Sequence, residues 1–265
     1  MKLFTIFGNP VSHSISPLIH NHTIKSLCIN ACYTRTLLKD GYLIKNKFHT
    51  MKLNGANITV PFKEDAFMIC DEIKGIAKDI GAVNTIIKKN DKLIGFNTDA
   101  PGFYESIKDF KNIKNILILG AGGTARAISV FLRQKEFNVD ILNRSKNRLA
   151  FFEEQNFNVF SWDNFQICKY DLIVNTTSAG LSSDILPIKA DTLQKLFKKA
   201  KYVVDVIYNK ETPFLKEAKK AKLTTKDGSD MLLYQAVLAF EIFFDNKYNK
   251  KDIKQYMQEA FKLFF

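Results

Sequence analysis

The stretch NILILGAGGTARA, residues 115–127, decides the fold of this chain. Asn115–Leu119 is a short, continuous apolar run, the pattern of a parallel strand covered on both faces. It passes directly into Gly120-Ala121-Gly122-Gly123-Thr124-Ala125, and an apolar helical pattern follows to about Leu132. Gly120 permits a tight turn, Gly122 removes the Cβ that would hold backbone away from a pyrophosphate, and Ala125 lets helix and strand pack closely. The helix N-terminus adds oriented N–H groups. After a strand and before a helix, this spacing predicts a dinucleotide site at Gly120, Ala121, Gly122, Gly123, Thr124 and Ala125.

The next strand, Val139–Leu142, selects the cofactor. It ends in Asn143-Arg144-Ser145, with Arg148 one turn further on. An NAD site usually carries a carboxylate there, bonded to the ribose 2′-hydroxyl. A carboxylate would repel a 2′-phosphate, whereas guanidinium groups bind it through charge-assisted hydrogen bonds. Asp140 lies too early in the strand to serve as that acid. The residues Asn143, Arg144, Ser145 and Arg148 therefore predict NADP.

Outward from this unit, strand and helix patterns alternate: Ser145–Glu154, Val159–Phe160, Leu172–Asn175 and Tyr202–Val206. That rhythm predicts an open α/β sheet. Before Asp99 the pattern differs, with strands expected at Lys2–Phe7, Cys32–Leu38 and Gly55–Val60. A hairpin of Ala82–Lys88 and Lys92–Phe96 follows, and helices are expected at Pro17–Leu27, Tyr42–Met51 and Pro101–Phe110. Met231–Phe244 and Asp252–Phe264 read as closing helices. Two α/β halves joined by short connections predict a ligand cleft between them.

Three polar clusters precede the dinucleotide unit. Ser14 and Ser16 stand in an extended stretch at a helix start, where two hydroxyls and helix N–H groups can hold a carboxylate; Ser16 also suits an N-cap. Asn57 and Thr59 share one face of a strand, and Pro61 turns the chain so that Lys63 begins a helix. A cation is disfavoured at a helix N-terminus, which singles Lys63 out for a functional role. Asn84 and Asp99 lie where the hairpin meets the second half, and Asp99 could equally cap the Pro101 helix.

Bulk properties exclude several classes. The net charge of +12 is spread along the chain without an aromatic series, so it suits an anionic small molecule better than nucleic acid. Four cysteines without CxxC spacing read as buried small hydrophobes or free thiols in a reducing compartment. No signal peptide or membrane span is expected, and the chain reads as cytoplasmic. His20 and His22 would point to different faces of one helix, so no metal is expected.

The blocks GNPVSHSISP (8–17), GANITVPFKE (55–64), GAVNT (81–85), GFNTDAPG (95–102), GAGGTARA (120–127), NRSKNR (143–148), NTTSAG (175–180) and DGSDMLLYQA (227–236) occur in order. Through them the chain resembles the NADP-dependent shikimate dehydrogenase family along its whole length. The resemblance implies an α/β protein of two domains: an N-terminal substrate domain and a Rossmann-like NADP-binding domain, with a cleft between them. It implies residues 1–99 plus 229–265 for substrate, closed by the C-terminal helices, and 100–228 for NADP. The implied activity is the reversible NADPH-dependent reduction of 3-dehydroshikimate to shikimate, on the path to chorismate and the aromatic amino acids. Lys63 and Asp99 are then the catalytic pair, and Ser14 and Ser16 hold the substrate carboxylate. Asn57, Thr59, Asn84, Asp99 and Gln235 bind ring hydroxyls, with Tyr208 nearby, while Gly228 and the backbone at Val206 lie against the nicotinamide. The resemblance leaves open a monomer or a homodimer, with neither nucleic acid nor membrane as partner. A quinate/shikimate dehydrogenase is the alternative; Arg144, Arg148 and a serine at position 16 weigh against it. Two departures stand out: Asp230 adds a carboxylate where the family commonly has glycine, and Gly75 replaces an acidic residue.

Overall fold

The computed structural model describes residues 1–263, so Phe264, the last residue of the predicted closing helix, lies outside them. The chain divides into two compact units, Met1–Gly102 with Leu233–Phe265, and Phe103–Leu232.

The first unit begins with β1 (Lys2–Gly8), α1 (Ser16–Ser26), β2 (Ala31–Leu37), α2 (Leu43–Thr50) and β3 (Gly55–Ile58). It continues through α3 (Lys63–Ile69), β4 (Glu72–Ile73), α4 (Ala77–Ile80), β5 (Thr85–Lys89), β6 (Lys92–Phe96) and α5 (Asp99–Ser106), within which the chain passes into the second unit. Its sheet has the order β2-β1-β3-β5-β6-β4. Strands β1, β2 and β3 are parallel, whereas β5 runs antiparallel to both β3 and β6 as the expected hairpin. Every residue of β3 is buried, as a central strand covered on both faces requires. Phe7, Ile44, Phe48, Ile58, Val83 and Ile86 form part of the core on this sheet. The two-residue β4 is too short to show a period and is not expected from the sequence.

The second unit runs β7 (Asn115–Leu119), α6 (Gly123–Gln134), β8 (Asn138–Asn143), α7 (Ala150–Glu154), β9 (Asn158–Ser161) and β10 (Leu172–Asn175). It then adds α8 (Ala190–Phe197), β11 (Tyr202–Asp205), α9 (Pro213–Lys220) and β12 (Thr224–Lys226). All six strands are parallel, in the order β12-β11-β10-β7-β8-β9. The order reverses between β7 and β10, the switch point at whose carboxyl side ligands bind in doubly wound sheets. The predicted helix Ser145–Glu154 is in fact a 3-10 turn at Lys146–Arg148 followed by α7. Strand β12 is an addition: three residues, none fully buried, carry no apolar run, and only pairing with β11 makes them a strand.

The chain returns to the first unit within α10 (Ser229–Phe243) and ends with α11 (Lys250–Lys262), which lies against α1. Phe243 and Phe244 close on Phe4 of β1, with ring centroids 4.7 and 5.2 Å apart. None of the described helices is long and apolar enough to cross a membrane. All four cysteines are free; Cys28 and Cys168 are exposed and none is fully buried, so the small-hydrophobe alternative does not hold.

Candidate functional site

In the second unit, a cavity of about 390 Å³ opens at the carboxyl ends of β7, β8 and β10. Gly120, Ala121, Gly122, Asn143, Arg144, Ser145 and Arg148 line it, so seven of the residues predicted for the cofactor share one space. Gly120 has φ +110°, a conformation open chiefly to glycine, and a Cβ there would stand 2.7 Å from Thr176 Oγ1. Cβ atoms at Gly122 and Gly123 would meet nothing within 4 Å, so the turn leaves room for a ligand over the N-terminus of α6. Ala125 is buried beneath the turn rather than facing the cavity. Among the described residues, no carboxylate lines this space. Asp140 accepts from Tyr170 Oη at 2.7 Å and from Asn158 Nδ2 at 3.1 Å, which ties it into the fold. These features fit an anionic dinucleotide with a 2′-phosphate beside Arg144 and Arg148.

Sequence reasoning missed the opposite wall: Trp162, Thr176, Thr177, Ser178 and Ile185–Pro187. The signal was available in the NTTSAG block. Asn175 Oδ1 accepts from Thr177 N and Oγ1 at 3.0 and 2.7 Å, while its Nδ2 donates to Asp205 Oδ2 at 3.1 Å. Asp205 also accepts from Thr212 Oγ1 at 2.6 Å and Ile207 N at 3.1 Å, and burial pushes its carboxyl above the ordinary range. Beyond β11, Val206 and Gly228 do come together, because a Cβ at Gly228 would overlap the Val206 carbonyl oxygen. Neither residue lines the cavity. Tyr208 follows in the same segment, half-buried, its phenol raised by burial.

Asp230 has a structural account. Its carboxylate takes a hydrogen bond from Lys226 Nζ at 3.1 Å, and the same ammonium binds Asp109 at 2.8 Å and the Ser106 carbonyl at 2.7 Å. The extra carboxylate is therefore part of an ion cluster at the start of α10. Gly75 stands before α4 at φ +59°, where a glycine eases the turn.

The first unit gathers the remaining candidates. Lys63 opens α3 and Asp99 opens α5, and Lys63 Nζ donates to Asp99 Oδ2 at 2.7 Å. Their side chains are 25% and 15% exposed, so a ligand can reach both. Asp99 is not the cap of its helix: Asn97 Oδ1 accepts from the backbone N–H groups of Asp99 and Ala100. Ser14 and Ser16 are buried, with Ser14 Oγ donating to Ser16 Oγ at 3.2 Å and accepting from Ser16 N at 3.3 Å. Among the described residues no side chain caps α1, so Ser16 does not act as its N-cap. Arg35 Nε holds the Ser14 carbonyl at 2.8 Å, a support that the sequence reading did not find.

Asn57 Nδ2 donates to the Asn84 carbonyl at 3.3 Å and Thr85 Oγ1 at 3.0 Å. Asn84 Nδ2 donates to Thr98 Oγ1 at 3.0 Å, and its Oδ1 accepts from Thr98 N at 2.8 Å. Thr59 is half-buried beyond the end of β3. Gln235 on α10 packs where a Cβ at Gly102 of α5 would meet its backbone N at 2.7 Å. Among the described residues no group of three or more histidines, cysteines or carboxylates is placed to hold a metal ion. His20 is stacked on Tyr33 in the core, and His22 faces Glu259 at 3.4 Å.

Comparison with known proteins follows the same lines. Residues 6–86 match the model of the shikimate dehydrogenase substrate binding domain. The shikimate dehydrogenase (NADP(+)) of Helicobacter hepaticus is 44% identical over 256 residues, covering 96% of this chain and 95% of that one. Among solved structures, the shikimate 5-dehydrogenase of Thermus thermophilus in complex with NADP(H) and shikimate superposes with a TM-score of 0.85 at 30% identity, covering 98% of this chain and all of that one. The shikimate dehydrogenase of Aquifex aeolicus matches with the same TM-score at 36% identity over 97% of each chain.

Proposed function

The chain belongs to the shikimate dehydrogenase family, and from that premise we propose that it catalyses the reversible NADPH-dependent reduction of 3-dehydroshikimate to shikimate. The observation that carries the chemistry is the 2.7 Å contact between Lys63 Nζ and Asp99 Oδ2. Bound NADPH supplies the hydride that reduces the substrate carbonyl. Lys63, as ammonium, gives a proton to the carbonyl oxygen as it becomes a hydroxyl, and takes it back in the reverse direction. Asp99 holds the ammonium in place and accepts a hydrogen bond from the reacting hydroxyl. Most of the remaining work is positioning.

In this reading Ser14 and Ser16 donate to the substrate carboxylate. Asn57, Thr59, Asn84 and Gln235 bind the ring hydroxyls, and Tyr208 is assigned a substrate role by the family resemblance. The turn Gly120–Ala125 receives the pyrophosphate, and Asn143, Arg144, Ser145 and Arg148 receive the adenosine 2′-phosphate. Val206 and Gly228 are assigned to the nicotinamide. Substrate binding is thus assigned to the first unit with its C-terminal helices, and NADP to the second. Monomer and homodimer both suit the proposal, as does a cytoplasmic supply of NADPH.

The test is the rate of NADPH formation from shikimate and NADP⁺, with quinate and NAD⁺ measured alongside. Lys63→Ala is expected to lower kcat by about 10²- to 10⁴-fold, the range of a lost general acid, with far less change in KM. A variant with the wild-type kcat refutes the assignment.

A further inference from the structure

Tyr33 reads as an ordinary strand residue in the sequence, and its place in the structure is not ordinary. It lies on β2, the edge strand of the first sheet, yet is only 2% exposed. Its backbone is clasped by one side chain of α1: Asn21 Nδ2 donates to the Tyr33 carbonyl and Asn21 Oδ1 accepts from Tyr33 N, both at 2.8 Å. Its ring is stacked on the buried His20 ring, centroids 4.3 Å apart and planes 3° from parallel. A phenol held so firmly delivers its hydroxyl to one point, and that point is Asn57 Oδ1, 2.7 Å away.

The direction of this hydrogen bond is decided by the neighbours. The Asn84 carbonyl is an acceptor only, so the side of the Asn57 amide that faces it must be Nδ2. Thr85 Oγ1 takes the second Nδ2 hydrogen, because its own hydrogen goes to Asn84 Oδ1 at 2.9 Å. Both Asn57 donors are therefore used, and Oδ1 accepts from Tyr33 with one lone pair left over. Burial holds the Tyr33 pKa well above its ordinary value, so the phenol keeps the proton that it donates to Asn57.

We propose that Tyr33 is a positioning residue for substrate recognition: its hydroxyl locks the Asn57 amide so that this side chain meets a ligand only as a hydrogen-bond acceptor. The proposal rests on the functional reading above, in which Asn57 binds a ring hydroxyl. It gives that contact a direction, with the hydroxyl of the substrate donating.

Tyr33→Phe keeps the ring, its volume and the stack, and removes only the hydroxyl. The shikimate KM is expected to rise about 3- to 10-fold, the equivalent of one hydrogen bond, while the NADP⁺ KM stays the same. In an Asn57→Ala background, Tyr33→Phe is expected to add nothing, since the group it positions is gone. An unchanged shikimate KM, or effects of the two substitutions that simply multiply, overturns the proposal. So does a Tyr33→Phe protein that fails to fold, because a hydroxyl whose task is positioning is dispensable for folding. If the wild-type protein oxidises no shikimate, the functional reading falls and this proposal with it; an active wild type with an indifferent Tyr33→Phe variant refutes the proposal alone.

Discussion

A guanidinium and a carboxylate at the end of β8 select opposite cofactors, and the choice here rests on two side chains. Arg144 and Arg148 face a cavity that no described carboxylate lines, while the nearby Asp140 is spent on Tyr170 and Asn158. Charge-assisted hydrogen bonds to a phosphate contribute more than neutral ones. Arg144→Ala is therefore expected to raise the NADP⁺ KM about 10- to 100-fold and to leave that for NAD⁺ nearly unchanged. Initial rates with both cofactors measure this directly; equal losses with both would remove the 2′-phosphate from the account. At the same scale, Lys63 shows why an ill-placed charge in a sequence is informative. A cation at a helix start is unfavourable, and Asp99 across the site compensates it.

Among elements, the carboxyl ends of β10 and β11 are joined by a buried carboxylate. Asp205 accepts from Asn175, Thr212 and Ile207, and Thr212 in turn caps α9 through Leu215 N at 3.3 Å. Asn175 then holds Thr177 on the cavity wall. Asp205→Ala would leave three buried donors unpaired at once. It is expected to destabilise the fold by about 2–5 kcal/mol, read from the midpoint of urea unfolding at constant slope. A loss below about 1 kcal/mol, close to the ordinary range for surface positions, would mean that water takes over those donors. The motif around Asn175 is visible in the sequence as a polar run after an apolar strand. Its partner Asp205 is thirty residues on, and nothing in the spacing announces the pairing.

For the whole molecule, the buried His20 couples folding to pH. Burial lowers its pKa from 6.5 to about 3, so it is neutral in the folded chain. Below pH 6.5 the unfolded chain takes up a proton that the folded chain refuses. The contribution of neutral His20 is complete above that pH and is lost as pH falls toward 3, at about 1.4 kcal/mol per pH unit. His20→Phe, which preserves a ring against Tyr33, is expected to flatten the pH dependence of the unfolding free energy by about that amount per unit. Urea unfolding near pH 6 and near pH 4 supplies the comparison, and parallel slopes for the two proteins would refute it.

The residues from 115 to 148 are legible because their information is local. A continuous apolar strand, a glycine turn and a helix start are adjacent in the chain, and Gly120 carries its reason in its own backbone angle. Lys63, Asp99 and the Ser14–Ser16 pair are legible as misplaced or clustered polar residues. Ser16 and Asp99 are nevertheless not helix caps: no described side chain caps α1, and Asn97 accepts from the N–H groups of Asp99 and Ala100. The alternating α/β order, the dinucleotide turn and the polar residue types at strand ends can all be read along the chain. That Tyr33 meets Asn57, that Asp205 meets Asn175 and that Lys226 reaches Asp109 emerges only from the folded arrangement. Periodicity and turn chemistry are written within a few residues, whereas a hydrogen bond between distant strands depends on register and packing, which the chain acquires only when it folds.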